Sequence, residues 1–223
     1  MHESSKSKKL FGPLERSVLR GAGIDIGCGP DPITPDVRRF DVADGDANRI
    51  SAFVREQFDF VYSSHCLEHM HDPRAAVLEW WKLVRPGGHL FFLVPDEDLY
   101  EQGVWPSRFN DDHKATFTIA KSTSWSPVSV NVRDLAASLP GGELIRLALQ
   151  DHGYDRRLLR QGPDQPPPGP VRLFVRAYRH LRRRGWVRSA HLDRFTARYY
   201  AIDQTADPDR LAQIECIVRK RPA

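Results

Sequence analysis

The segment Gly23-Ile24-Asp25-Ile26-Gly27-Cys28-Gly29-Pro30 constrains this chain more than any other. A short apolar run opens directly into glycines, which in an open parallel sheet is a strand end followed by a tight, ligand-facing turn. Glycine lets a ligand approach the backbone because no Cβ stands in the way. The nicotinamide fingerprint G-x-G-x-x-G is not met: Pro32 stands where the third glycine would be, and prolines crowd the start of a pyrophosphate-binding helix. A dinucleotide oxidoreductase is therefore disfavoured.

Beyond this turn the chain alternates between strand and helix. Val37-Arg38-Arg39-Phe40-Asp41 reads as a short strand ending in a carboxylate, then Gly45-Asp46-Ala47 leads into a helical stretch over residues 48–57. Phe58-Asp59-Phe60-Val61-Tyr62 reads as a buried strand running into Ser63-Ser64-His65-Cys66-Leu67-Glu68-His69. A helix from Pro73 carries Ala76, Val77, Trp80, Trp81 and Val84 on one face and stops at Arg85-Pro86-Gly87-Gly88. Residues 89–94 form the next strand, closed by Pro95-Asp96-Glu97-Asp98. Strand, helix, strand at this spacing means an α/β parallel sheet.

In that order, IDIGCGPDP, FD then DGDA, FDFVYSSHCLEHMHDP and WWKLVRPGGHLFFLVP resemble the class I S-adenosylmethionine-dependent methyltransferases of small-molecule type. The resemblance implies a Rossmann-like, doubly wound seven-stranded α/β sheet with its last strand antiparallel. Residues 142–149 fit the sixth strand and residues 213–218 the seventh. Between Gly29 and Asp41 there is no room for the usual first crossover helix, so it is shortened or absent. The expected organisation is an N-terminal tail over 1–20, a methyltransferase domain over 21–155 and 199–223, and a basic, Pro-linked helical insertion over 156–198.

The implied cofactor is S-adenosyl-L-methionine, and each of its parts asks for a residue type. A strand-end carboxylate can accept both ribose hydroxyls through charge-assisted bonds; by resemblance this is Asp41. Asp46 would face the adenine amino group, with Ala47 adding a backbone contact, and Asp44 reads as a turn residue. Asp25 would hold the turn and the methionine amino group, Gly27 and Gly29 would line the adenosine, and Cys28 and Ser64 complete the expected cofactor set. Asp46 also suits a helix N-cap.

Methyl transfer from a sulfonium is an in-line displacement, so alignment is the main demand. An oxygen acceptor also needs a base. His65, past the fourth strand, and His113, in the aromatic and acidic stretch 96–125 beyond the fifth, are the candidate catalytic residues, with activity expected to rise across about pH 6–8. His65, His69 and His71 with Glu68 and Asp72 invite a metal reading, yet no metal is expected, because the family pattern contains a similar run.

The acceptor class follows from the same resemblance: a small molecule or a glycan-type acceptor, as in bacterial polysaccharide biosynthesis. An RNA acceptor and a non-catalytic cofactor-binding subunit remain alternatives. DNA is not expected, since neither an Asn-Pro-Pro-Tyr-type loop nor a Pro-Cys nucleophile motif occurs. Charge matters here. Residues 156–198 hold twelve arginines and two acids, so this segment is ten positive and the remainder of a chain totalling +4 is six negative. An amphipathic helix is expected over residues 171–186, with Arg172, Arg176, Arg179 and Arg183 on one side and Val171, Phe174, Val175, Tyr178 and Leu181 opposite. Either its apolar stripe packs onto the methyltransferase core as a cap, leaving the arginines in water, or the helix lies on an anionic membrane surface, a polyanionic partner such as an RNA backbone, or a protein interface. Three widely spaced cysteines and a polar, basic stretch over residues 1–9 point to a cytoplasmic protein, which the membrane reading of the basic helix would place on the inner membrane face.

Overall fold

The computed structural model describes residues 3–187 and 189–222, except that nothing is described of the Arg183 side chain. Two short helices, α1 (Glu3–Lys8) and α2 (Pro13–Val18), precede β1 (Gly23–Ile26) and β2 (Arg38–Phe40). A 3-10 turn (Ala47–Ala52) leads to β3 (Phe58–Ser64), α3 (Pro73–Lys82) and β4 (Val84–Pro95). Then come β5 (Thr116–Thr118), β6 (Ser129–Asn131), α4 (Val132–Ala137), β7 (Gly142–Gln150), α5 (Gly169–Arg183), α6 (Ala190–Ala197) and β8 (Gln213–Lys220).

Six strands form the main sheet in the order β2-β1-β3-β4-β8-β7. The first four are parallel, and β8 runs antiparallel to both β4 and β7. The expected α/β architecture is present, with one strand fewer than the seven expected among the described residues. After β2 the chain makes only a turn and the 3-10 segment before entering β3, so nothing extends the sheet past β2. The expected helix over 48–57 shrinks to that 3-10 segment, which Arg49 interrupts at φ −138°, ψ 42°. Between β1 and β2, residues 27–37 contain no helix, as the short spacing required.

Two apolar layers flank the sheet. Alternation along β1 and β3 sends Ile24, Ile26 and Val61 into the layer with α3 and α4. Phe60 and Tyr62 go to the opposite layer with Phe11, Val18 and Ile33. The N-terminal stretch is therefore not a tail: Phe11 and Val18 are buried, Lys8 Nζ donates to the Ile33 carbonyl at 2.8 Å, and Ser5 bonds Asp31.

Asp72 caps α3 by accepting from the N–H groups of Arg74 and Ala75, and Pro73 occupies the first turn. The helix ends before Val84, which already belongs to β4. That strand is longer than expected because residues 85–88 bulge, the pairing passing from Phe58–Val84 to Phe60–His89. At Gly88 a Cβ would lie 2.8 Å from the Asp59 carbonyl, so the bulge needs glycine.

Within residues 156–198, α5 and α6 pack together. The expected helix runs over Gly169–Arg183 rather than to residue 186. Val175 and Tyr178 are buried, Tyr178 Oη donates to Asp193 Oδ1 at 2.9 Å, and Arg182 Nε donates to the same oxygen at 2.6 Å. Phe174 meets Phe195 yet stays half exposed, and Leu173 is 73% exposed. The apolar stripe thus seats mainly on α6. Arg172 and Arg176 face solvent, Arg179 lies over the Tyr200 ring at 4.0 Å, and the Arg183 side chain falls outside the described residues.

Trp80 ties this scaffold to the loop beyond β2. It is fully buried and its Nε1 donates to the Ala47 carbonyl at 2.9 Å. Trp80→Ala should lower unfolding stability by about 3–5 kcal/mol in urea titrations.

Candidate active site

Two cavities meet at the carboxyl ends of the parallel strands. One, of about 610 Å³, is lined by Gly27, Asp41, Asp46, Ala47, His65 and Cys66, among others. The turn after β2 shapes it: Asp44 Oδ2 accepts from the Asp41 N–H at 2.8 Å, and the Asp44 N–H donates back to the Asp41 carbonyl at 2.8 Å. That folds the few residues between Asp41 and Asp46 so that both carboxylates border one space. Asp44 is the turn residue, as expected. Asp46 also caps the 3-10 segment through the Asn48 N–H at 2.9 Å, and its bonds to the Asn48 side chain and backbone hold its carboxyl below the usual range. Cap and lining coexist.

Gly27 is required at this wall. It adopts φ +74°, and a Cβ there would sit 2.6 Å from Cys66 Sγ. Val42, next to Asp41 in the same lining, is 91% exposed and offers an apolar surface at the rim.

Asp25, Cys28, Gly29 and Ser64, expected to bind cofactor, do not line this cavity. Asp25 is fully buried on the other face of β1 because side chains alternate along a strand. Its Oδ2 accepts from the Ile33 N–H at 2.7 Å and so holds the 28–33 turn. Its Oδ1 has no partner among the described residues, and neither has the buried Ser64 Oγ. Gly29 donates its N–H to Asp41 Oδ2 at 2.6 Å, orienting that carboxylate. Cys28, Cys66 and Cys216 are buried and unpaired, and burial pushes the Cys66 thiol up to about 12, so it is no nucleophile at neutral pH.

The second cavity, of about 420 Å³, lies under α1 and is lined by His65, Glu68, His69, Tyr100, His113 and Gln213, among others. His65 and His69 line both spaces. His65 adopts the left-handed conformation at φ +53°, its Nε2 lies 2.8 Å from Gln213 Oε1, and its Nδ1 lies 3.4 Å from Glu68 Oε1. Burial pulls the imidazole down, but the hydrogen bond and charge of Glu68 outweigh it and hold His65 at about 9. Glu68 is the counterpart: burial opposes its ionisation, yet His65, His113 and His69 together keep it below the usual carboxylate range.

The stretch 96–125 does come to the site. Glu68 anchors it, its backbone carbonyl accepting from the N–H groups of Lys114 (2.7 Å) and Ala115 (3.2 Å). His113 is buried, with Nδ1 2.7 Å from Glu101 Oε1, while Tyr100 and Asn110 line the same cavity. Glu101, Gln213 and α1 are parts of the site that the sequence does not announce. They arrive through long-range packing that leaves no local signal.

A glycine turn at the end of β1, an acid at the end of β2 and a cavity over the parallel strand ends define a Rossmann-like methyltransferase architecture. A family model described as a methyltransferase domain matches residues 9–165, and the chain belongs to that family. It is an S-adenosylmethionine-dependent methyltransferase, and S-adenosyl-L-methionine is its cofactor.

Among solved structures, coclaurine N-methyltransferase bound to N-methylheliamine and SAH is 11% identical, with TM-score 0.50, over 97% of this chain and 70% of that one. A putative sarcosine dimethylglycine methyltransferase from Galdieria sulphuraria is 13% identical (TM-score 0.48; 98% and 85% covered). A possible histamine N-methyltransferase from Thermotoga maritima is 15% identical (TM-score 0.47; 99% and 88% covered). At these identities the likeness bears on fold alone. No curated protein matches the chain.

Burial raises Asp25 from 3.8 to about 7. A raised acid stabilises the fold fully below its ordinary value and loses that contribution as pH climbs through about 7. Asp25→Asn keeps the acceptor for Ile33 and removes the charge, so at pH 8 it should gain about 2–4 kcal/mol over the wild type, and at pH 4 almost nothing. Thermal melts of both proteins across that range check the sign.

Proposed function

We propose that the methyl group passes from S-adenosylmethionine in the larger cavity to an oxygen of a small-molecule or glycan-type acceptor in the smaller one. The supporting observation is the shared wall: His65 and His69 border both spaces, so a donor and an acceptor seated on either side would meet there. The residues fit the cofactor. Asp41 would accept the ribose hydroxyls, and Asp46 with Ala47 would face the adenine. Gly27 would let the nucleoside approach the backbone, while Gly29, in the turn that also carries Cys28, orients the Asp41 carboxylate. Asp25 and Ser64 lie outside this lining, and Asp25 holds the turn from the opposite face of β1.

The bound cofactor supplies a sulfonium methyl open to in-line displacement. The chain aligns the acceptor and takes its proton. His65 is the first base in this reading and His113, fixed by Glu101, the second. Because His65 holds its proton up to about 9, the neutral base gains population only as pH approaches that value. The activity rise therefore belongs near pH 8–9, above the window of an ordinary histidine. A kcat profile should climb there, and His65→Gln should flatten it; an unchanged profile removes His65 from the reaction.

Loss of a charged hydrogen bond costs about 1.5–3 kcal/mol, so Asp41→Ala should weaken cofactor binding about tenfold to a hundredfold by calorimetry. Labelled cofactor offered with glycan, lipid and RNA fractions tests the acceptor class, and label entering RNA alone would replace this reading.

A membrane-surface role is carried by α5 and its flank. Leu173 (73%), Phe174 (51%) and Trp186 (68%) are exposed on the segment that also bears the exposed Arg172 and Arg176. Several other arginines of residues 156–198 are paired within the chain, as Arg156 with Asp151, Arg157 with Asp155 and Arg182 with Asp193. Contact with an anionic bilayer from the cytoplasmic side would suit a lipid-linked glycan acceptor. No helix among the described residues is long and apolar enough to cross a membrane. Flotation with anionic but not neutral vesicles is the expected result.

A further inference from the structure

Beside the shared wall lies a cluster that methyl transfer alone does not require. Glu68, His69 and His113 each offer one ligand atom, and those atoms lie within 4.8 Å of one another. Both rings are turned by a carboxylate behind them. His113 Nδ1 is 2.7 Å from Glu101 Oε1, and its Nε2 lies 4.0 Å from Glu68 Oε1. His69 Nδ1 is 2.9 Å from Asp112 Oδ2, which leaves its Nε2 for another partner. Carboxylates that fix the far nitrogen of a ligating histidine are the usual outer layer of a protein metal centre. Glu68 is 1% exposed, its Oε1 faces His65 and His113, and its Oε2 has no partner among the described residues.

We infer that Glu68, His69 and His113 form a binding site for a divalent transition-metal ion of the zinc type, held by two imidazoles and one carboxylate with coordination left open to the smaller cavity. Two nitrogens and an oxygen are a donor set that such ions favour over magnesium or calcium. Ligands about 2.0–2.1 Å from a tetrahedral ion stand about 3.4 Å apart, so no pair in the cluster need close by more than about 1.4 Å. The His69 side chain, 26% exposed, has room to turn inward. All three residues also line the smaller cavity, so the open positions face it and would take a water or hydroxyl oxygen. Only that last consequence rests on the cavity being the acceptor site; the metal site does not.

The test uses the full chain, stripped with chelator and titrated with Co2+, read by visible absorption and equilibrium dialysis. One Co2+ per chain is expected, displaced by Zn2+. His69→Ala and His113→Ala should each weaken binding at least about tenfold, and Glu101→Gln by about 10–100-fold, while His71→Ala, at an exposed neighbour, should change nothing. Circular dichroism identifies any variant that fails to fold; should His113→Ala be one, the half-exposed His69→Ala decides. Absence of stoichiometric uptake overturns the site in favour of a metal-free carboxylate–histidine network. Uptake that survives both Glu68→Gln and His69→Ala overturns it equally. Neither readout involves methyl transfer, so failure here leaves the proposed reaction standing; an occupied site would take His113 Nε2 and leave His65 as the base.

Discussion

Glu68 is the residue on which the site depends. Its carboxylate is a buried charge, and a buried charge persists only where partners replace water. Here the partners are imidazoles: His65 at 3.4 Å and His113 at 4.0 Å from Oε1, with His69 adding its charge. Its backbone carbonyl meanwhile receives two N–H groups from residues 114 and 115. One residue therefore gathers the histidines from the exit of β3 and pins the long stretch after β4 beside them. Had it been apolar, the backbone anchor would remain, but His65 would lose its buried counter-charge and burial alone would pull its imidazole down.

The scaffold that presents Glu68 rests on two apolar layers with different duties. The layer containing α3 carries Trp80, whose indole reaches the Ala47 carbonyl and so couples helix packing to the turn between Asp41 and Asp46. The opposite layer is completed by Phe11 and Val18 from the first twenty residues, which brings α1 over the second cavity. The larger and the smaller cavity are thus supported from opposite faces of one sheet. Asp41 and Asp46 border the larger cavity, while the smaller one is built largely from residues far apart in the chain.

That difference decides which parts of the molecule are legible in its sequence. The glycine turn after β1, the capped α3 and the Ser64-His65 exit of β3 are local patterns of apolar spacing and turn chemistry, and each lies where it is expected. The paired acids Asp41 and Asp46 are legible for the same reason. Asp25 is expected to face the cofactor, yet strand alternation turns it to the opposite layer, where it holds the turn from behind. The pair β5–β6 consists of three-residue strands joined by a non-local pairing, which no window of sequence reveals. Glu101 behind His113, Gln213 behind His65 and α1 above them depend on tertiary packing in the same way. The missing seventh strand follows from chain length between β2 and β3, which only the finished topology converts into a strand count.

The short passage from β1 to β2 has a consequence for traffic. No helix stands where a crossover would be, Gly27 alone of residues 27–37 lines the larger cavity, and none of the α1 residues does. The smaller cavity, by contrast, has Glu3, Ser5, Lys6 and Lys9 in its wall. The two spaces share His65 and His69 but otherwise have different walls. On the proposed reading, α1 therefore covers the acceptor but not the cofactor, and a spent cofactor need not displace that helix to leave.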